Sequence, residues 1–189
     1  MAEVAAESTH VPSHKARTAL FLAAMRHFRD ELRTRGIRVE YRELGHHAAR
    51  TLGEALRADL DRLRPERVIM VQAGEHRVAA DVSAAVASSG LQLELAPDEH
   101  FFITPGEFEA WARGRKELRL EYFYRWMRRR TGILMDGAEP AGGRWNFDAE
   151  NRSSFGAAGP GWLPSPATFA PDAITREVIE VVARELPGN

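Results

Sequence analysis

The chain of 189 residues contains no cysteine. Without thiols it can form no disulfide, offer no thiolate to a metal, use no cysteine nucleophile and hold no iron–sulfur cluster, which requires Cys thiolates. Long apolar runs are also missing, because no segment approaches the roughly 18 apolar residues that predict a membrane span. The opening segment, MAEVAAESTH, lacks the basic start and apolar core of a secretory signal. We therefore expect a cytoplasmic protein.

Neither sign of charge is in excess. Lysine and arginine together number 26, aspartate and glutamate number 27, and the formal net charge is −1. A domain with this balance is not drawn to nucleic acid by bulk charge, so any such contact would need a local basic patch. The 44% hydrophobic and 28% charged content is typical of a soluble globular protein with a real core.

The common catalytic and phosphate-binding motifs are absent too. No GxGxxG follows a predicted strand, no GxxxxGK precedes Ser or Thr, and neither a GxSxG elbow nor an HExxH pair occurs. Of the seven histidines, His46 and His47 are adjacent, while His10 and His14 lie on either side of Pro12. Because these spacings share no helical face and no carboxylate cluster accompanies them, we predict no metal site and no catalytic residue.

Apolar periodicity predicts alternating strands and helices. The expected strands are residues 2–4, 37–41, 67–72 and 91–95, and the expected helices are residues 13–35, 51–63, 78–89, 104–111, 116–130 and 172–186. This order is typical of an α/β fold, a Rossmann-like or flavodoxin-like parallel sheet with flanking helices. Thr51 with Glu54, and Thr104 with Glu107, have the form of capping boxes that begin two of the helices. The three-residue stub at the start indicates that the first strand is missing. We predict an α/β domain over 1–131 and an irregular C-terminal extension with one helix over 132–189.

The carboxyl end of the third predicted strand carries the polar run Gln72 to Arg77. Ligands of open α/β sheets bind at such ends, where helix N-termini point their amides. Glu75, His76 and Arg77 are thus placed to meet a small ligand. The alternative is an ordinary strand-to-helix turn with capping charges, and the residues alone do not separate the two.

Arginines and aromatic residues alternate in KELRLEYFYRWMRRR, residues 116–130. As a helix this segment is either an amphipathic element whose arginine stems cover its own apolar face, or a surface for phosphates or an acidic partner. If DNA is contacted, the candidates are Arg125, Arg128, Arg129 and Arg130.

The loop GGRWNFDAENRSS, residues 142–154, fits neither a helical nor a strand pattern. Its two glycines allow a tight turn, and Trp145 and Phe147 are interpreted as structural anchors. Several segments resemble the deoxyribodipyrimidine photolyase-related proteins, the iron–sulfur branch of the photolyase/cryptochrome superfamily. Besides this loop they are AEVAAESTHVPSHKARTALFLAAMRHFRDELRTRGIRVEY, PERVIMVQAGEHRV, RKELRLEYFYRWMRRRTGILMDG and the C-terminal FAPDAITREVIEVVARELPG. The resemblance runs from Ala2 to about Leu186, and GGRWNFDAENR is its most specific part.

The resemblance implies a light-driven DNA-repair or photoreceptor protein with two domains. Its N-terminal α/β domain carries an antenna pigment, 6,7-dimethyl-8-ribityllumazine, and its C-terminal helical domain holds FAD, a four-cysteine iron–sulfur cluster and the lesion site. Only the N-terminal domain matches this chain, so we expect no lyase activity from the chain alone. Family members begin with a further strand and a Gly-Asp-Gln-Leu type turn, which is expected to contribute to the antenna site.

By matching positions, the resemblance assigns six pigment-binding candidates, with Glu75 and Arg77 as the weaker members: Glu3, His14, Lys15, Thr18, Glu75 and Arg77. An alternative function is a non-enzymatic module that binds a flavin-like small molecule or a partner protein. The partner is either a C-terminal photolyase half or another protein that contacts residues 116–130.

Overall fold

The computed structural model describes residues 1–148, 154–157 and 159–188. The chain divides into two units, one formed by Met1–Pro97 with Thr168–Asn189 and the other by Asp98–Ala167. We call them the first and second units. They differ from the predicted ranges 1–131 and 132–189, because the C-terminal helix packs within the first unit.

Within the described residues, the fold is mixed α/β with seven α-helices and two small sheets. The helices are α1 (Ala5–Thr9), α2 (Lys15–Thr34), α3 (Leu52–Leu63), α4 (His76–Ser88), α5 (Pro105–Ala112), α6 (Leu120–Thr131) and α7 (Ala173–Glu185). The strands are β1 (Val68–Val71), β2 (Leu93–Ala96), β3 (Met135–Asp136) and β4 (Glu139–Pro140). A short 3₁₀ turn, Ala141–Gly143, follows β4.

Helix ends follow the predicted capping residues closely. Thr51 accepts a hydrogen bond from the Glu54 amide at 3.2 Å and begins α3, which ends with Arg64 in the left-handed region before Pro65. Thr104 and Glu107 form the predicted capping box of α5. The helix expected from residue 116 begins only at Leu120, because Arg119 has extended backbone angles and acts as its N-cap.

The first unit contains a parallel pair, β1 with β2, in the register Val68 opposite Leu93. The prediction of strands at 2–4 and 37–41 is wrong. Ala2 forms an isolated parallel bridge with Arg42, one residue beyond the second predicted strand, and neither range is a strand. The Glu3 amide donates to the Arg42 carbonyl at 2.9 Å, and the Arg42 amide donates to Met1 at 2.9 Å. The ladder stops there because α1 begins at Ala5, and the sequence pattern gave no sign of this five-residue helix.

The core of the first unit lies between α2 and α7. Its buried side chains are Ala19, Leu22, Ala23, Leu44, Val178, Val181, Val182 and Leu186. The three valines recur at three- and four-residue spacing, so they form one stripe that removes its apolar surface from water. Asp172 caps α7 by accepting from the Thr175 amide at 2.7 Å. Helix α7 is thus packed against α2 within the first unit.

The second unit is built on four aromatic rings from α5 and α6. Trp111 lies 4.9 Å from Phe123 and 6.2 Å from Trp126, measured between ring centroids, and Phe108 lies 5.3 Å from Phe123. Such edge-on and tilted contacts are the favoured arrangements of aromatic side chains. Helix α6 therefore turns Phe123 and Trp126 toward α5, which confirms an apolar stripe on this basic helix.

Candidate functional site

Glu3 is 1% exposed, and its carboxylate is held by four donors. Arg26 donates from Nε and Nη2 at 2.7 and 2.9 Å, the Tyr41 hydroxyl donates at 2.6 Å, and the Leu44 amide donates at 2.9 Å. Burial alone would raise the pKa of Glu3, but these hydrogen bonds outweigh it and hold that pKa below its ordinary value. The carboxylate is therefore committed to partners within the chain.

Arg26 extends this network from α2 to α7. The residue is 1% exposed, and its Nη1 lies 3.1 Å from the Glu177 carboxylate and 3.7 Å from that of Glu43. The hydrogen bond from Arg26 to Glu3 keeps the guanidinium pKa above its usual value, and burial acts against it. Burial, followed by the hydrogen bond to Glu3, likewise raises the pKa of Tyr41. The network joins the start of the chain, α2, the loop at 41–44 and α7.

His14, Lys15 and Thr18 lie at the start of α2, as the sequence predicts. His14 is the exposed N-cap, and its Nδ1 accepts from the Ala16 amide at 3.1 Å. Lys15 is exposed, whereas Thr18 is 5% exposed and faces inward. Of these three, His14 and Lys15 are accessible to a ligand.

Glu75 is the N-cap of α4, at the end of the segment that follows β1, and Arg77 lies in the first turn of α4. Arg77 donates from Nη1 and Nη2 to Glu7 at 2.7 and 2.8 Å, and from Nε to Glu75 at 2.8 Å. His10 Nε2 lies 3.9 Å from Glu75. A hydrogen bond from Arg77 keeps the pKa of Glu7 below its ordinary value. We call Glu7, His10, Glu75 and Arg77 the turn cluster; it leaves Glu75 half exposed.

Sequence reasoning missed Glu7, which is 70 positions from Arg77 along the chain. Charge patterning reveals pairs three or four residues apart, and a partner this remote has no such signal. The six predicted residues also do not form one cluster. Within the described parts of the chain, no hydrogen bond or ion pair connects Glu3 or His14 with Glu75 or Arg77.

An apolar groove runs between α2 and α7. Its volume is about 410 Å³, and its walls are Lys15, Ala16, Ala19, Leu20, Thr175, Ile179, Val182 and Ala183. Leu20 is 69% exposed and Ile179 is 49% exposed, although both lie beside the buried core. Exposed apolar side chains that adjoin one another in this way are typical of a surface that binds another apolar surface.

The four arginines predicted for DNA contact have different surroundings. Arg125 pairs with Glu121 at 2.7 Å, Arg130 pairs with Glu107, and Arg128 is 5% exposed and donates to the Leu134 carbonyl. Arg129 is exposed and lies over the Trp145 ring at 4.7 Å. Among the described residues, therefore, Arg129 alone of the four has neither a hydrogen bond nor a carboxylate partner.

Trp145 is half-buried, as expected of an anchor, and lies against α6. Arg125, Arg128 and Arg129 place their guanidinium carbons 5.5, 5.1 and 4.7 Å from its ring centroid. Phe147 is 60% exposed and contacts the turn at Gly142, whose φ is +76°. Of the loop predicted over 142–154, residues 149–153 lie outside the described residues. The described part combines an anchored indole with an exposed phenyl ring.

The described residues contain no group of three or more His, Asp or Glu side chains placed to hold a metal ion. In the same part of the chain, every helix is too short or too polar to cross a membrane.

Comparison with known proteins gives a match over the entire chain. Residues 1–189 match the family model described as deoxyribodipyrimidine photo-lyase-related protein. The chain is also 46% identical over 192 aligned residues to a protein named (6-4) photolyase from Agrobacterium fabrum (strain C58 / ATCC 33970). The alignment covers 100% of this chain and 37% of that relative. The chain thus spans a little more than a third of the relative's length.

Proposed function

Since the chain belongs to the deoxyribodipyrimidine photo-lyase-related protein family, we propose that it is the antenna-type N-terminal part of a light-driven DNA-repair or photoreceptor protein. The relative's printed name, (6-4) photolyase, supports repair of a pyrimidine photoproduct by the complete protein. In this chain the first unit would bind the lumazine pigment. When bound, that pigment absorbs light and passes on the excitation energy, without bond chemistry.

The turn cluster is the observation that carries the pigment proposal. It lies at the carboxyl end of a parallel strand, where open α/β sheets bind their ligands. Four of the five guanidinium N–H groups of Arg77 donate to Glu7 and Glu75, which leaves one Nη1 N–H for a ligand, and Glu75 is a half-exposed acceptor. A donor and an acceptor are the two kinds of group that a ribityl chain with several hydroxyls requires. We assign Glu75 and Arg77 to direct contact with the ribityl chain.

The other four candidates differ in how well they fit. Glu3 accepts four hydrogen bonds and Thr18 is buried, so neither fits a direct contact in this arrangement. We propose that Glu3 positions the site instead, because its backbone pairs with Arg42 and leads into α1, which carries Glu7. The side chains of His14 and Lys15 are exposed at the start of α2, and we assign them to hydrogen bonds with the solvent-facing side of the pigment.

A Rossmann-like sheet is the finer fold that we propose for the first unit. The Gln72 amide donates to the Ala96 carbonyl at 2.9 Å, so alternate residues of β1 point their backbone groups toward β2. Ile69 and Val71 point theirs to the opposite edge, and their side chains are 51% and 52% exposed. Buried strands of this composition are typical of parallel sheets covered on both faces. Among the described residues no strand pairs with this edge of β1, and the proposed sheet would add a parallel strand there.

Flavin and iron–sulfur chemistry belong to other parts of the complete protein in this proposal. A chain without cysteine offers no thiolate to a cluster. The 63% of the relative that this alignment does not cover has room for the FAD, the cluster and the lesion site. The groove between α2 and α7 is the surface we assign to a partner, either the C-terminal half or another protein.

The proposal is tested by mixing the purified chain with the lumazine or with FAD and separating bound from free pigment by gel filtration. We expect the lumazine to co-elute with the chain and FAD to elute free. Stoichiometric binding of FAD would contradict the division of cofactors. Absence of any lumazine binding, with the chain folded by circular dichroism, would contradict the antenna role and favour the alternative of a partner-binding module.

A further inference from the structure

The second unit contains a cavity that the antenna proposal does not use. Its volume is about 670 Å³, and its walls are Leu120, Glu121, Tyr124, Arg128, Leu134, Ala141, Trp145, Asn146, Phe147 and Asp148. These residues belong to α6, to the segment after it, to the 3₁₀ turn and to the loop that follows, all within Asp98–Ala167. Cavities of roughly 300–1,000 Å³ are the usual size for small-molecule sites. We call it the Trp145 cavity.

Aromatic rings line this cavity and remain accessible. Tyr124 is 40% exposed and Phe147 is 60% exposed, while Trp145 is half-buried with its ring against α6. Each of the three rings therefore keeps part of its surface accessible. Three rings around one open space offer faces on which a flat ligand can stack.

The cationic groups beside the cavity are not fully neutralised. Arg125, Arg128 and Arg129 lie on one face of α6 at positions i, i+3 and i+4, and all three approach Trp145. Glu121 neutralises Arg125 at 2.7 Å. Of the charged residues that line the cavity, Arg128 is the cation, and Glu121 and Asp148 are the carboxylates. Arg129 is not a lining residue; it lies on the Trp145 ring and has no carboxylate partner among the described residues. Arg128 and Arg129 are therefore the two guanidinium groups available to a phosphate.

Arg128 provides the most specific sign of an absent partner. The residue is 5% exposed, and its Nε is buried without a hydrogen-bond partner in the described part of the chain. Its Nη2 donates to the Leu134 carbonyl, while Nε is a buried donor with no partner among the described residues, on a side chain that lines the cavity. Buried donors are nearly always paired in folded proteins, so an unpaired one beside an open cavity points to a ligand.

From these features we propose that the Trp145 cavity binds a nucleotide, with the base stacked on Trp145 and the phosphate near Arg128 and Arg129. Asn146 supplies a donor and an acceptor, and Asp148 supplies an acceptor, for the polar edge of the base. The same chemistry is offered by a free nucleotide and by an unpaired nucleotide within a single strand. The proposal does not depend on pigment binding, because the turn cluster lies in the first unit.

The test uses fluorescence anisotropy of a short labelled oligothymidylate with the full chain. Competition with free dTMP, with a duplex and with an abasic strand of equal length distinguishes the sources. A site for one free nucleotide predicts that dTMP displaces the probe, and a strand site predicts displacement by unlabelled oligothymidylate alone. In either case the abasic strand competes poorly, because it lacks the stacking ring.

Variants tie binding to named residues. Trp145→Ala is expected to weaken binding about tenfold or more, and Trp145→Phe is expected to retain most of it, since a base stacks on either ring. Arg129→Ala changes an exposed side chain, so the fold survives and the loss of affinity shrinks at high salt. Matched controls are Trp162→Ala, at an 85% exposed tryptophan, and Arg113→Ala, at an exposed arginine that pairs with Glu109, whereas Arg129 lies on the Trp145 ring.

The competition and variant results decide the proposal together. Unchanged binding in Trp145→Ala and Arg129→Ala would overturn it. Equal competition by the abasic strand would also overturn it, since phosphate contact alone would then explain the affinity. Failure of the probe to bind the wild-type chain would do the same. Lumazine binding is unaffected in all of these variants if both proposals are correct, so failure of one is distinguishable from failure of the other.

Discussion

Arg26 in the first unit and Arg129 in the second show how differently the two units use the same side chain. Arg26 is buried and shares a bidentate pair with Glu3, while Arg129 is exposed and lies on the face of an indole. Arg77 likewise pairs with two carboxylates in the first unit. In the first unit, Arg26 and Arg77 connect parts of the chain that are distant in sequence. In the second unit, the exposed Arg129 and three aromatic rings lie at an open cavity, where a ligand can reach them.

The largest expected effect comes from breaking the buried pair. Arg26→Met leaves the carboxylate of Glu3 buried without its counter-ion, which costs about 3–5 kcal/mol in the free energy of unfolding. Urea denaturation followed by circular dichroism measures this loss. Arg35→Ala is the matched control on α2, because its pair with Glu31 is exposed and contributes at most about 1 kcal/mol. Equal stability of the two variants would show that the buried network does not hold the first unit together.

A smaller effect is expected from two glycine substitutions that contrast the units. A Cβ at Gly53 would lie 2.3 Å from Asp81 Oδ1 and 3.0 Å from the Asp81 carbonyl oxygen, so Gly53→Ala should destabilise the first unit by about 1–3 kcal/mol. At Gly106 a Cβ meets open space, and Gly106→Ala should stabilise α5 by roughly 0.4–1 kcal/mol. Thermal unfolding of both variants measures the difference. Destabilisation by both substitutions would contradict the packing described here.

Removing the cap of α5 should cost about 1 kcal/mol. Thr104→Ala loses the acceptor for the Glu107 amide, while Thr104→Ser keeps it. The capping box and Arg130 lower the pKa of Glu107 to about 2, with the hydrogen bond from the Thr104 amide as the largest cause. The urea midpoint of each variant measures the change. A serine variant as unstable as the alanine variant would show that the hydroxyl is not the stabilising group.

Acid is expected to lower the free energy of unfolding of both units. The pKa of Glu3 and that of Glu107 lie below the ordinary value of 4.5 in the folded chain. Each carboxylate therefore adds stability above pH 4.5, and this contribution is lost as the pH falls through the folded-state pKa, about 2 for Glu107. Urea denaturation across this range should show a flatter pH dependence for Glu3→Gln than for wild type. An identical slope would contradict the assigned role of Glu3.

Local patterns predicted most of the helices. The capping residues Thr51 and Thr104 are short-range signals, and α3 and α5 begin directly after them. The strand at 37–41 was wrong because strand formation depends on a partner, and the partner turns into α1 after Val4. Longer-range pairs left no sequence signal at all.

Glu3 illustrates the same limit for function. Glu3 became a pigment-binding candidate through family resemblance, which identifies a residue but does not reveal what that residue contacts. Its partner Arg26 lies 23 positions away, and the pairing becomes evident only when α2 packs over the start of the chain. In contrast, the basic and aromatic residues of α6 are adjacent in sequence, so the pattern indicated an apolar stripe with basic flanks, and it left open whether those arginines only cover the stripe or form a binding surface.

Crossed binding measurements test most directly whether the two units carry separate sites. The lumazine and the oligothymidylate are each titrated against wild type, Arg77→Ala and Arg129→Ala. The account predicts that Arg77→Ala weakens lumazine binding about tenfold or more and leaves oligothymidylate binding unchanged, and that Arg129→Ala does the reverse. If each variant weakened both ligands equally, or neither ligand, the assignment of one site to each unit would be contradicted.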